Sequence, residues 1–111
     1  MVNQEKLRQA EEKLGFAEYL TRPAHTDSYN SAALKHVTNA STLAVQALTD
    51  SVVDSPRAMQ LALLKFEEPE AKRFAKHLMT MCRKEGGADR QTIKLAMQDI
   101  RGFIAWMKTL Q

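Results

Sequence analysis

The chain has 111 residues and a formal net charge of +3, and it is 44% hydrophobic and 26% charged. Its length suits one domain, and its composition is typical of a globular protein and too apolar for a disordered tail. A single cysteine, Cys82, excludes an internal disulfide and a zinc site built on cysteine pairs. Because apolar runs are short and the N-terminus is polar, we expect a soluble, cytoplasmic protein with one domain over residues 1–111.

The first predicted helix has an apolar face with three- and four-residue spacing. Its members are Leu7, Ala10, Leu14 and Ala17. The helix should end before Pro23, because proline disfavours helical geometry at the residue that precedes it.

The second predicted helix covers about residues 29–53, with Asp27 or Ser28 as its side-chain cap. One face consists mainly of small residues, namely Ala33, Val37, Ala40, Ala44 and Ala47. Since small residues let helix axes approach closely, we expect this to be the central helix.

Two shorter helices are predicted next. Ser55 and Pro56 have the pattern of an N-cap followed by proline in the first helical position, ahead of a helix over about residues 57–66. Pro69 begins the next helix, which covers about residues 70–84.

Gly86 and Gly87 should end that fourth helix, and Asp89 should cap a last helix over about residues 90–110. Gly102 lies in the middle of this last helix, where glycine costs about 1 kcal/mol relative to alanine, so we expect close packing or a ligand beside it. No strand-like alternation occurs. The sequence therefore predicts an all-α fold, an up-and-down bundle of four to five helices.

Positive charge is concentrated in the second half of the chain. Residues 1–55 carry a net charge of −2 and residues 56–111 carry +5. Helical projection places a basic stripe on each of the last two helices, and two such stripes could merge into one patch that attracts nucleic acid phosphates. The predicted contacts are Lys72, Arg73, Lys76, Arg83, Arg90, Lys94 and Arg101. The alternative is that these side chains only solvate exposed helix faces.

The histidines and the cysteine do not form a recognisable catalytic or metal-binding motif. His25, His36 and His77 lack the spacing of metal ligands, so we expect no metal and no cofactor. Cys82 lies on an apolar face, as expected for an inert buried thiol. No catalytic residue is assigned, although Arg73 and His77, four positions apart, share a helix face and leave a ribonuclease role open.

Trp106 lies off the centre of the last helix's apolar stripe. With Met79 and Val45, also placed off the main stripes, it could form an exposed apolar spot. We predict that Trp106 contacts a protein partner or a second copy of the chain.

The helix pattern resembles the HEPN superfamily of small helical bundles. The resemblance lies in the opening helix with Leu7 and Leu14, the alanine-rich second helix, and a closing helix with Ile93, Ile100 and Ile104. Active HEPN members are metal-independent ribonucleases with an Arg and a His separated by four to six residues. Here Arg73 and His77 have three intervening residues, and Arg22 and His25 have two. The resemblance thus implies a non-catalytic role. HEPN proteins are often dimers, and the resemblance also implies a nucleotidyltransferase as a partner.

Together these patterns predict a non-catalytic helical module that binds nucleic acid or a nucleotide-handling protein through its basic C-terminal half. The alternative is a small structural subunit of a ribonucleoprotein or CRISPR-type effector complex.

Overall fold

The structure is a computed structural model that describes residues 2–50, 52–53, 55–82 and 89–110, except for the side chains of residues 79–82. The described residues form five α-helices, α1 (Gln4–Leu20), α2 (Asn30–Thr49), α3 (Pro56–Leu63), α4 (Pro69–Cys82) and α5 (Arg90–Lys108), and a 3-10 turn at Asp27–Tyr29. The described residues include no β-strand. The predicted all-α bundle is therefore confirmed.

Helices α1 and α2 pack antiparallel against each other. The backbone N–H of Asn3 donates to Ala47 O at 2.8 Å, so the start of α1 lies against the end of α2. The small residues predicted for the α2 face are fully buried, as are Ala10 and Ala17 on α1. This lets the two axes approach closely and makes α2 the central helix, as predicted.

The other helices complete one core around α2. Large side chains with at most 3% of their surface exposed fill this core, among them Leu63, Phe74, Leu78, Ile93, Ile100, Phe103 and Met107. They come from α3, α4 and α5, so each of these helices buries one face against the rest of the bundle.

Two predicted helix caps are confirmed and one is wrong. The Ser55 side chain accepts from Ala58 N, and Asp89 Oδ1 accepts from Thr92 N at 2.7 Å. Neither Asp27 nor Ser28 caps α2, because both lie in the 3-10 turn, and α2 starts without a side-chain cap.

Helix α2 ends at Thr49, four residues before the predicted end. Asp50 has a left-handed backbone with φ 51°, which stops the helix. Its side chain accepts from Asn3 Nδ2 at 3.0 Å, and this contact with the start of α1 stabilises the turn. Helices α3 and α5 also end before their predicted limits, at Leu63 and Lys108.

The predicted helix stop at Gly86 and Gly87, and the predicted part of α4 beyond Cys82, lie outside the described residues. No helix in the part of the chain that is described has both the length and the apolar character needed to cross a bilayer.

Candidate functional site

A pocket of about 170 Å³ opens between α4 and α5. On its apolar side the rings of Phe74 and Phe103 stack parallel, with centroids 4.1 Å apart. Both side chains are almost fully buried. The aromatic pair joins α4 to α5 and fixes the shape of the pocket.

His77 lines the same pocket and is only 8% exposed. Its ring stacks on Phe74 at 4.9 Å between centroids. Across the α4–α5 interface, its Nδ1 lies 2.9 Å from Oδ2 of Asp99. The other ring nitrogen, Nε2, is buried and has no hydrogen-bond partner among the described residues.

Burial lowers the pKa of His77 below its ordinary value of 6.5, and the hydrogen bond and charge of Asp99 offset only part of this effect. The imidazole is therefore neutral at pH 7. Since a carboxylate only accepts, Nδ1 carries the proton and donates to Asp99, which leaves Nε2 as a hydrogen-bond acceptor.

Four further residues around the pocket differ in charge and size. Arg73 and Glu70 come from α4, and Gln98 and Gly102 come from α5. A Cβ built on Gly102 would meet nothing within 4 Å, so the prediction of close packing at this glycine is wrong. The glycine leaves open space beside the pocket instead. The other reason predicted for a glycine at this position, a bound ligand, stays a prediction.

The basic stripe of α4 is exposed beside this pocket. Lys72, Arg73 and Lys76 all lie at the surface. Lys72 and Arg73 form no ion pair with any residue in the described ranges. Arg83, the fourth predicted contact on this helix, lies outside the described residues.

The basic stripe of α5 faces α1 and not α4. Arg101 pairs with Glu18, and Nζ of Lys108 lies 3.0 Å from Oε1 of Glu11. Lys94 is exposed one heptad before Arg101 on this flank of α5. Asp99 lies on the other flank and contacts α4, so the prediction that the two basic stripes merge into one patch is corrected.

Arg90 has a different role from the predicted phosphate contact. Its guanidinium donates to the carbonyl oxygens of Arg22, His25 and Thr26, at 3.3, 2.8 and 2.8 Å, and to Asn30 Oδ1 at 3.2 Å. These bonds attach the loop between α1 and α2 to the start of α5. Arg90 therefore stabilises the fold, and its guanidinium is already occupied by contacts within the protein.

The predicted exposed apolar spot around Trp106 is only partly present. Trp106 is half-buried and its ring lies 5.7 Å from that of Phe103. Val45 is fully buried within α2, so the prediction of an exposed Val45 is wrong. The side chains of Met79 and Cys82 lie outside the described residues. Binding of a partner by Trp106 stays a prediction.

Sequence reasoning missed the pairing of His77 with Asp99. It placed His77 only on a helix face shared with Arg73, whereas the structure buries it against Phe74. One signal was available, because His77 follows Phe74 by three positions and so lies beside an apolar stripe. Asp99 gave no such signal, since helical periodicity does not show which neighbouring helix a polar flank will face.

Comparisons with models of known protein families, with curated proteins and with solved structures return no match for this chain.

Proposed function

We propose that this protein is a non-catalytic helical module that binds nucleic acid, and that the exposed basic face of α4 contacts the phosphates. The observation that supports this is the row of Lys72, Arg73 and Lys76 on the outer side of one helix. Three cations on one rigid helix match a chain of phosphates better than an isolated charge does.

Contacts within the protein remove three cations of α5 from the proposed contact surface. Arg101 and Lys108 already face carboxylates of α1, and Arg90 donates to loop carbonyls. Binding a phosphate with these side chains would require breaking contacts inside the protein. With about three phosphates neutralised, the affinity for a single strand should fall with a slope of about −2 against the logarithm of salt concentration.

The test is binding of a labelled single-stranded RNA, followed by fluorescence anisotropy over a salt series. The double variant Lys72→Glu with Lys76→Glu should abolish binding at low salt while the helical circular dichroism stays unchanged. The matched control is Lys35→Glu with Lys94→Glu, which changes the net charge equally at two exposed positions away from α4. Unchanged binding by the α4 variant, or an equal loss in both variants, would refute the proposal.

A second candidate function is RNA cleavage, favoured by one observation, the neutral His77 held by Asp99 with Arg73 one turn away on α4. A neutral imidazole oriented by a carboxylate is a general base, and an arginine can stabilise a phosphorane. Incubation of labelled RNA with the wild type and with His77→Ala decides this candidate. Cleavage by the wild type that the variant lacks supports it, and intact RNA in both samples rejects it.

A further inference from the structure

We propose that the α4–α5 pocket binds the pyrimidine base of an unpaired nucleotide, with His77 Nε2 accepting a hydrogen bond from the base. This inference rests on the proposed function and deepens it. The basic face of α4 would hold the phosphates, and the pocket beside it would hold one base.

The hydrogen-bonding state of His77 points to a ligand with an N–H group. Nδ1 donates to Asp99, so Nε2 has a lone pair and no proton. A buried acceptor without a partner is unfavourable, and a donor that reaches it recovers a hydrogen bond in a low-dielectric site. Uracil offers a ring N–H and cytosine an amino group, each beside further polar edge atoms.

The other two histidines do not offer the same site. His25 and His36 also have a buried Nδ1 without a described partner. Both side chains are only half-buried, however, and neither lines the α4–α5 pocket. His77 alone among the three combines deep burial, an orienting carboxylate and an adjoining pocket.

The size of the pocket limits the ligand to a single aromatic ring. Its volume of about 170 Å³ is close to that of a cavity of about 150 Å³ that holds benzene. Phe74 and Phe103 line its apolar side, which suits a ligand with an apolar ring. A purine would extend its second ring beyond the pocket, so a pyrimidine fits best.

The charges around the pocket favour a neutral ligand there. Arg73 contributes one positive charge, whereas Glu70 and Asp99 contribute two negative ones. A phosphate inside the pocket would be repelled by both carboxylates. A base, by contrast, can donate an N–H group to His77, while its phosphates lie outside near Lys72 and Lys76.

The first test uses free nucleosides, so it does not depend on the basic face. Binding is measured by isothermal titration calorimetry, with the fluorescence of Trp106, the single tryptophan, as a second signal because its ring lies beside Phe103 of the pocket. Uridine and cytidine should bind, adenosine should bind at least about tenfold more weakly, and ribose 5-phosphate should not bind. Equal responses to all of these probes, or no response to uridine and cytidine, would overturn the inference.

Two variants then test the residues involved. His77→Phe keeps an aromatic ring and removes the Nε2 acceptor, and it should weaken pyrimidine binding by about tenfold, the value of one hydrogen bond. His36→Phe is the matched control and should bind like the wild type. Gly102→Leu adds a side chain in open space beside the pocket and should also reduce binding, whereas Gly15→Leu on α1 should not. Wild-type pyrimidine affinity in a folded His77→Phe or Gly102→Leu variant would contradict the inference.

A last comparison separates failure of this inference from failure of the proposed function. The probes are a single-stranded oligouridine and an abasic chain of the same length, which carries the phosphates without bases. If both proposals hold, the abasic chain binds more weakly than oligouridine, and His77→Phe lowers oligouridine binding by about tenfold, part of the way to that level. Equal binding of both chains rejects the pocket alone, and absence of binding by the abasic chain at low salt rejects the basic face. Cleavage of oligouridine that is lost in His77→Phe would assign Nε2 to catalysis and overturn the inference.

Discussion

Nδ1 of His77 on α4 lies 2.9 Å from Oδ2 of Asp99 on α5, which connects two helices through a buried ring and a half-exposed carboxylate. The bond sets the tautomer of the histidine and holds its ring against Phe74. Because the imidazole is buried and neutral, adding a proton to it opposes folding. The stability of the folded protein should therefore depend on pH.

We predict that the protein loses stability as the pH falls below about 6.5. The folded pKa of His77 is lowered by burial, so between the folded value and the unfolded value of 6.5 the unfolded chain binds more protons. The contribution of the neutral ring to the free energy of unfolding is complete above pH 6.5. It decreases as the pH falls from 6.5 toward the folded pKa of His77. The slope for this one group has a limit of about 1.4 kcal/mol per pH unit. Urea unfolding at a series of pH values measures it.

The control for this pH effect is His77→Phe, which does not titrate. Its free energy of unfolding should depend less on pH between 7.5 and 5.5 than that of the wild type. A wild-type pH profile retained in the folded variant would show that another group causes the acid sensitivity.

We predict that the contacts of Arg90 stabilise the folded protein. Arg90→Met removes the donors to three loop carbonyls and to Asn30 and should lower the free energy of unfolding by about 2–4 kcal/mol. Arg90→Lys should recover less than half of this, because an ammonium group lacks the planar fork that reaches several acceptors. Lys94→Met, an exposed residue of the same helix, should change stability by less than about 0.5 kcal/mol. Denaturant titrations compare the variants, and equal losses from Arg90→Met and Lys94→Met would contradict this role.

The helices were predictable because their signals are local. Apolar periodicity and the caps at Ser55 and Asp89 depend on residues close in sequence. The end of α2 was not predictable from local signals. It falls where Asp50 adopts a left-handed backbone, and the side chain of Asp50 contacts Asn3, which is 47 positions away. Nothing in a local pattern shows that contact.

The site was predictable only in part, for the same reason. Projection onto a helix correctly gave exposed cations at Lys72 and Lys76. It does not show that one flank of α5 faces α1 while the other faces α4. That arrangement, set by how the helices pack, separates the two basic stripes and places Asp99 beside the pocket.

Two glycines within helices should be replaceable by alanine with a gain in stability. A Cβ at Gly15 or at Gly102 meets nothing within 4 Å, so neither methyl group creates a clash. Each change should stabilise the helix by about 0.5–1 kcal/mol, because alanine loses less backbone entropy on folding. Thermal melting of the two single variants and the double variant checks the values and their additivity. A lower melting temperature for Gly102→Ala alone would show that the pocket edge resists even a methyl group.

The pairing of Arg101 with Glu18 tests the arrangement of α5 beside α1. Both side chains are about half-exposed, so the coupling free energy should be small, about 0.2–1 kcal/mol, and should decrease with added salt. The measurement is a double-mutant cycle with Arg101→Gln, Glu18→Gln and the double variant. The cycle of Arg101 with Asp99, two residues away on α5 but on the opposite flank, is the control and should give no coupling within error. Stronger coupling in the control than in the Arg101–Glu18 cycle would mean that the basic flank of α5 does not face α1, and the separation of the two basic stripes would then have to be given up.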